Sequence, residues 1–133
     1  MQTTGTFEVT SFEAVDVPLD PPVETALPLG VARLTKAYSG AVSGRSTTLF
    51  TSAYDGTIGS YVAMDAFDGS LDGRTGAFAY LHSASTGGAD RSDEYLHIVE
   101  GSGTGELAGI RGAGRLHLEE DGTHRVTFDY DLS

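Results

Sequence analysis

Four Asp-Gly pairs constrain the fold of this chain more than any other feature: Asp55-Gly56, Asp68-Gly69, Asp72-Gly73 and Asp121-Gly122. Asp-Gly suits the type I′ turn, whose two central residues both need positive φ, and such turns close two-residue hairpins. The segments between the pairs are rich in Val, Thr, Tyr, Phe and Leu, with no long helical period. Glycine totals 18 residues, about twice average usage. With 39% hydrophobic content, that abundance points to many tight turns in an ordered all-β chain. Eight strands are expected, near 4–13, 31–40, 43–54, 58–67, 74–83, 94–100, 113–119 and 123–132. Consecutive hairpins make a meander, and closing the meander removes its unpaired edges. The expected fold is therefore all-β: one closed, eight-stranded antiparallel β-barrel with little helix. The 133 residues suffice for one core and one domain, spanning 1–133.

One segment stands apart. All four prolines (Pro18, Pro21, Pro22, Pro28) fall in 14–30, between the first two strands. A connection that long either covers a barrel mouth or forms a mobile flap.

The chemistry is first bounded by exclusion. There is no cysteine, which rules out disulfides, zinc-thiolate sites and thiol nucleophiles. The start of the chain is polar and uncharged, without the basic and apolar regions of a secretory signal, and no run approaches a membrane span. A cytoplasmic location is expected. Nineteen acidic residues against eight basic ones give a net charge of −11, and such a surface repels nucleic acid and anionic lipid. The run from Gly101 to Ala108 matches the loose pattern G-x-G-x-x-A. The glycines that follow, Gly109, Gly112 and Gly114, leave at most one helical turn, so a β-turn is expected there and no dinucleotide cofactor. His82, His97, His117 and His124 lack the spacing that sets two metal ligands on one helical face, and no metal is expected. No G-x-S-x-G elbow exists.

Hairpin geometry then sorts side chains by face. A two-residue turn at Asp55-Gly56 pairs Phe50 with Tyr61 and Ser46 with Asp65. A symmetric turn about Asp68–Gly73 pairs Tyr61 with Tyr80 and Ala63 with Phe78. Thr48, Phe50, Tyr61, Asp65, Phe78, Tyr80 and His82 then share one face. Symmetry about an Ala84–Tyr95 pair brings His97 opposite His82 on that face. Val62, Met64, Ala77, Ala79, Leu81, Leu96 and Ile98 take the other, which, if outward, suits a subunit contact in a homodimer or trimer.

Asp65 is the most informative carboxylate, because it interrupts an apolar strand on the aromatic face. Lost hydration raises a carboxyl pKa and suits it to acid–base work. The commoner fate of such a residue is pairing with an arginine or hydroxyl, or solvation near a barrel end. Phe50, Tyr61, Phe78 and Tyr80 either fill the barrel or line a pocket, and the tyrosine hydroxyls, which need partners when buried, favour a pocket.

The run Gly101-Ser102-Gly103-Thr104-Gly105-Glu106-Leu107-Ala108-Gly109-Ile110-Arg111-Gly112 resembles the signature of an uncharacterised bacterial family, domain of unknown function 3224. So do Leu71–Phe78 with His82 following, Gly5–Val9 near the start, and Phe128–Leu132 near the end. Asp65 stands where that family usually carries a glutamate, and its usual histidine matches His82. The glycine-rich turn also resembles one in allene oxide cyclases and plant dirigent proteins, eight-stranded barrels that steer ring closure or coupling of a small molecule. The resemblance implies a lined interior with a mouth. The expected function is binding of a small apolar or aromatic molecule, with isomerisation or cyclisation by preorganisation and no cofactor. In that reading Asp65 and His82 are the proton donor or acceptor, and Phe50, Tyr61, Phe78, Tyr80 and His97 contact the ligand. A non-catalytic carrier or sensor, or a structural barrel with a filled core, are the alternatives.

Overall fold

In the computed structural model, which describes residues 1–133, eight strands follow one another: β1 (Gln2–Val15), β2 (Leu29–Gly40), β3 (Val42–Tyr54), β4 (Gly59–Leu71), β5 (Arg74–Thr86), β6 (Ser92–Ile98), β7 (Ile110–Leu118) and β8 (His124–Leu132). Every neighbouring pair is antiparallel, and β1 pairs with β8 as well as β2, so the sheet closes into a barrel. The sole helix is a single 3₁₀ turn, Gly105–Leu107. No helix is long and apolar enough to cross a membrane.

The turns correct the Asp-Gly reading in part. Asp72-Gly73 alone forms a two-residue turn, with φ of 52° and 84°, flanked by the pair Leu71 and Arg74, in place of the longer turn expected over 68–73. Asp55-Gly56 instead opens a four-residue connection between Tyr54 and Gly59. There the Asp55 carboxylate accepts from the backbone N–H groups of Thr57 and Ile58. Asp68-Gly69 is not a turn at all but lies inside β4. A Cβ on Gly69 would strike the Ser43 carbonyl. Gly69 is paired with Gly44 on one side and Gly76 on the other. Glycine serves there for close strand approach where the barrel bends.

These differences move the registers by two residues at β3–β4 and four at β4–β5. Phe50 pairs with Ala63, Thr48 with Asp65, and Asp65 with Tyr80. Even shifts keep every side chain on its expected face, and Thr48, Asp65, Phe78, Tyr80 and His82 are all buried in the interior. The β5–β6 register moves by one, which reverses a face. His82 pairs with Leu96, and His97 with Leu81. Leu96 and Ile98 are therefore interior core, and His97 lies outside, stacked on Tyr95. The expected His82–His97 pair does not form.

The interior has two unlike halves. At the end holding the start of β1 and the turn between β4 and β5, an aromatic and aliphatic cluster fills the barrel. It includes Phe67, Phe78, Tyr80, Ile98, Phe128 and Tyr130. Leu107, fully buried, plugs that end from the 99–109 connection. That connection is the glycine-rich run, and it lies along β5 by way of Thr104 and Ser102. Outside, Leu49, Val62 and Met64 are exposed.

Candidate functional site

A polar layer crosses the barrel above the filled half. In β2 the inward positions are Ala32, Leu34, Lys36 and Tyr38, all buried. Lys36 thus places an ammonium group in the interior, 3.0 Å from Asp65 Oδ1 and 5.2 Å from the centre of the Phe7 ring. The same carboxylate oxygen accepts from Thr48 at 2.5 Å and Ser46 at 3.2 Å. Asp65 is fully buried, and its Oδ2 has no partner.

Counting protons orients the rest of the layer. Ser46 has one hydroxyl proton and gives it to the carboxylate, so it accepts from Tyr38, 2.8 Å away. Tyr38 in turn accepts from Tyr80 at 2.6 Å. Both phenols are protonated: burial first, then the Asp65 charge, pushes Tyr38 up, while burial followed by Tyr38 and Asp65 does so for Tyr80. Asp65 is therefore held by an ammonium and hydroxyls, and it does not border the main cavity.

That cavity, about 740 Å³, opens at the other end of the barrel, where β3 and β5 finish and β4 and β6 begin. Phe50 and Tyr61 form one wall, their rings stacked 5.0 Å apart. Ala84, Leu116 and Leu118 add apolar surface, and Arg91 and Glu94 add charge. The cavity extends into a gap between β6 and β7, which pair only at His97–Ala113 and Ile98–Gly112. Arg91 bridges this gap, donating to the Leu116 carbonyl at 3.3 Å and to Glu94 at 3.3 Å. No residue of the proline-containing connection lines this cavity, although it enters and leaves the barrel at the same end.

His82 lies just beneath, 2% exposed. Its Nδ1 is 3.0 Å from the Tyr61 hydroxyl and its Nε2 is 3.0 Å from Glu94 Oε2. Burial lowers the His82 pKa below its ordinary 6.5, with Glu94 partly opposing, so the ring is neutral near pH 7. A carboxylate can only accept, which puts the single ring proton on Nε2 and leaves Nδ1 to accept from Tyr61. Burial likewise raises Tyr61, with Arg91 opposing.

Of the residues expected to contact a ligand, Phe50 and Tyr61 line the cavity, Phe78 and Tyr80 belong to the filled half, and His97 is outside. Lys36, Arg91 and Glu94 were missed. Lys36 was detectable as a charge at an inward position of an alternating strand. Arg91 and Glu94 sit where register depends on a loop. No group of three or more His, Asp or Glu side chains gathers as a metal site.

Residues 3–130 match the family described as "Protein of unknown function (DUF3224)". The chain belongs to the DUF3224 family. Among solved structures it is similar to a DUF3224 protein of unknown function from Shewanella oneidensis MR-1. The two share 27% identity and a TM-score of 0.82, over 100% of this chain and 98% of the other. No curated protein matches. The DUF3224 match spans both halves of the barrel, so the packed end and the open end belong to one family domain.

Proposed function

We propose that this DUF3224 barrel binds one small apolar or aromatic molecule at its open end and holds it in a reactive shape, as a cofactor-independent isomerase or cyclase. The observation that carries the reading is the contrast between halves: one end is packed solid, while the other keeps a cavity of about 740 Å³ walled by the stacked Phe50–Tyr61 pair. That volume suits a drug-sized molecule. A wall that fixes a flexible molecule turns lost entropy into rate. The Asp65 layer supplies a rigid floor, and His82 orients the Tyr61 hydroxyl from below. Resemblance to allene oxide cyclases supports the reading at the level of fold alone. The acidic surface supports a small-molecule partner in the cytoplasm over nucleic acid or anionic membrane.

The test is uptake of N-phenyl-1-naphthylamine, a neutral aromatic probe that fluoresces in apolar surroundings. The expected outcome is saturable binding of one probe per chain, weakened by Phe50→Ala and by Ala84→Phe, which puts a ring into the cavity. Absence of any fluorescence gain would leave the barrel as a structural body and overturn the proposal.

A further inference from the structure

We infer that Tyr61, His82 and Glu94 form a proton relay with both ends in the cavity, and that its substrate is an aromatic enol or the corresponding ketone, interconverted by moving one proton between oxygen and carbon. This rests on the binding reading above and adds a reaction to it.

The geometry is specific. Tyr61 on β4 and Glu94 on β6 both line the cavity, while the imidazole joining them is almost wholly buried. Both hydrogen bonds are 3.0 Å, within reach for proton transfer. A buried imidazole needs a partner at each nitrogen; what points to a relay is that both partners are ionisable and both line the cavity. Arg91 holds the same carboxylate oxygen, Oε2, at 3.3 Å.

The resting protonation sets the direction. The Tyr61 proton points at Nδ1, so the phenol oxygen offers the cavity an acceptor, which selects a ligand with an O–H. Aromatic walls select an aryl group beside it. For an enol, the O–H proton passes to Tyr61 Oη, the Tyr61 proton to Nδ1, and the Nε2 proton to Glu94. The freed oxygen pair forms the carbonyl, and the carbon–carbon π pair takes the proton from Glu94. One proton enters, one leaves, and the product is the ketone. The imidazole ends with its proton on Nδ1. Once water refills the cavity the relay runs back, a proton entering at Glu94 and another leaving at Tyr61. No oxidant or cofactor is required.

The groups facing His82 are Tyr61 from β4, Glu94 from β6, Arg91 just ahead of it and Lys36 from β2. Burial first, and the two cations after it, keep the ring neutral against the pull of Glu94, the form the relay needs, so the acid limb of the rate lies below the ordinary histidine value of 6.5.

The test follows decay of freshly generated phenylpyruvate enol by ultraviolet absorbance, with binding of phenylpyruvate measured separately by equilibrium dialysis. The intact protein is expected to accelerate ketonisation. Tyr61→Phe and Glu94→Gln each lose about a hundredfold while still binding the probe. His82→Gln lowers the rate, and the acceleration that is left no longer falls at acidic pH, a change that a merely structural role would not produce. Binding without acceleration, or full rate in Tyr61→Phe, overturns the relay and leaves the binding site standing. If neither phenylpyruvate nor N-phenyl-1-naphthylamine binds, both proposals fall.

Discussion

Replacing Lys36 by methionine removes the only cation beside a carboxylate with no solvent exposure. At 3.0 Å and an effective dielectric of about 20, the attraction is roughly 5 kcal/mol. Truncating one partner of a buried pair typically costs about 3–5 kcal/mol, because the other charge is left uncompensated. Ser46 and Thr48 still donate to Oδ1 in the variant, which favours the lower half of that range. For a domain of this size the loss corresponds to a fall in Tm of roughly 10–15 °C. The assay is thermal unfolding followed by circular dichroism, in a cycle with Asp65→Asn and the double variant. Removing both charges costs less than removing Lys36 alone, since no stranded charge remains. Because the pair is enclosed, salt leaves the effect nearly unchanged. A Lys36→Met variant destabilised by under about 1 kcal/mol would refute the argument, for a buried anion cannot lose its partner so cheaply.

Two further outcomes follow from the same interior. Burial lowers the pKa of His82 and of His124 below 6.5, so at acidic pH the unfolded chain binds more protons than the folded one. Stability then falls as pH drops below about 6.5, and His82→Gln flattens that slope in urea titrations. Gly76→Ala drives a Cβ into the Thr104 carbonyl, with Leu107 Cβ close behind; it costs about 1–3 kcal/mol and speeds hydrogen exchange across 99–109.

Much of the fold was legible because its cues are local. Alternation in β3, β4 and β5 put Thr48, Phe50, Tyr61, Asp65 and His82 on the correct face even though the turns were misplaced. Errors of two or four residues do not change parity. The β5–β6 connection offered no such protection. It carries no two-residue turn signal, its register has an irregularity between Ser83 and Ser85, and a one-residue error there exchanged Leu96 for His97. Gly69 misled for another reason: a glycine needed for strand approach carries the same letters as a glycine needed for a turn. Asp65 was visible as a polar residue in an apolar strand. Lys36, 29 positions earlier, was visible in the same way in β2, but that the two charges are partners shows only once β2 lies across the interior. Which half of the barrel is filled depends on how far each side chain reaches, and no pattern of residue types encodes that.

The sparse pairing of β6 with β7 changes what kind of container this is. A barrel bonded equally all round is a tube, and its bore is set by strand number. Here the wall is unzipped on one side for much of its height, and Arg91 acts as a clasp across the slit. The container is a split ring: one seam holds two residue pairs, while each of the other seven ladders is longer. Arg91 and Glu94, along that slit, lie apart from the cluster that fills the opposite end of the barrel.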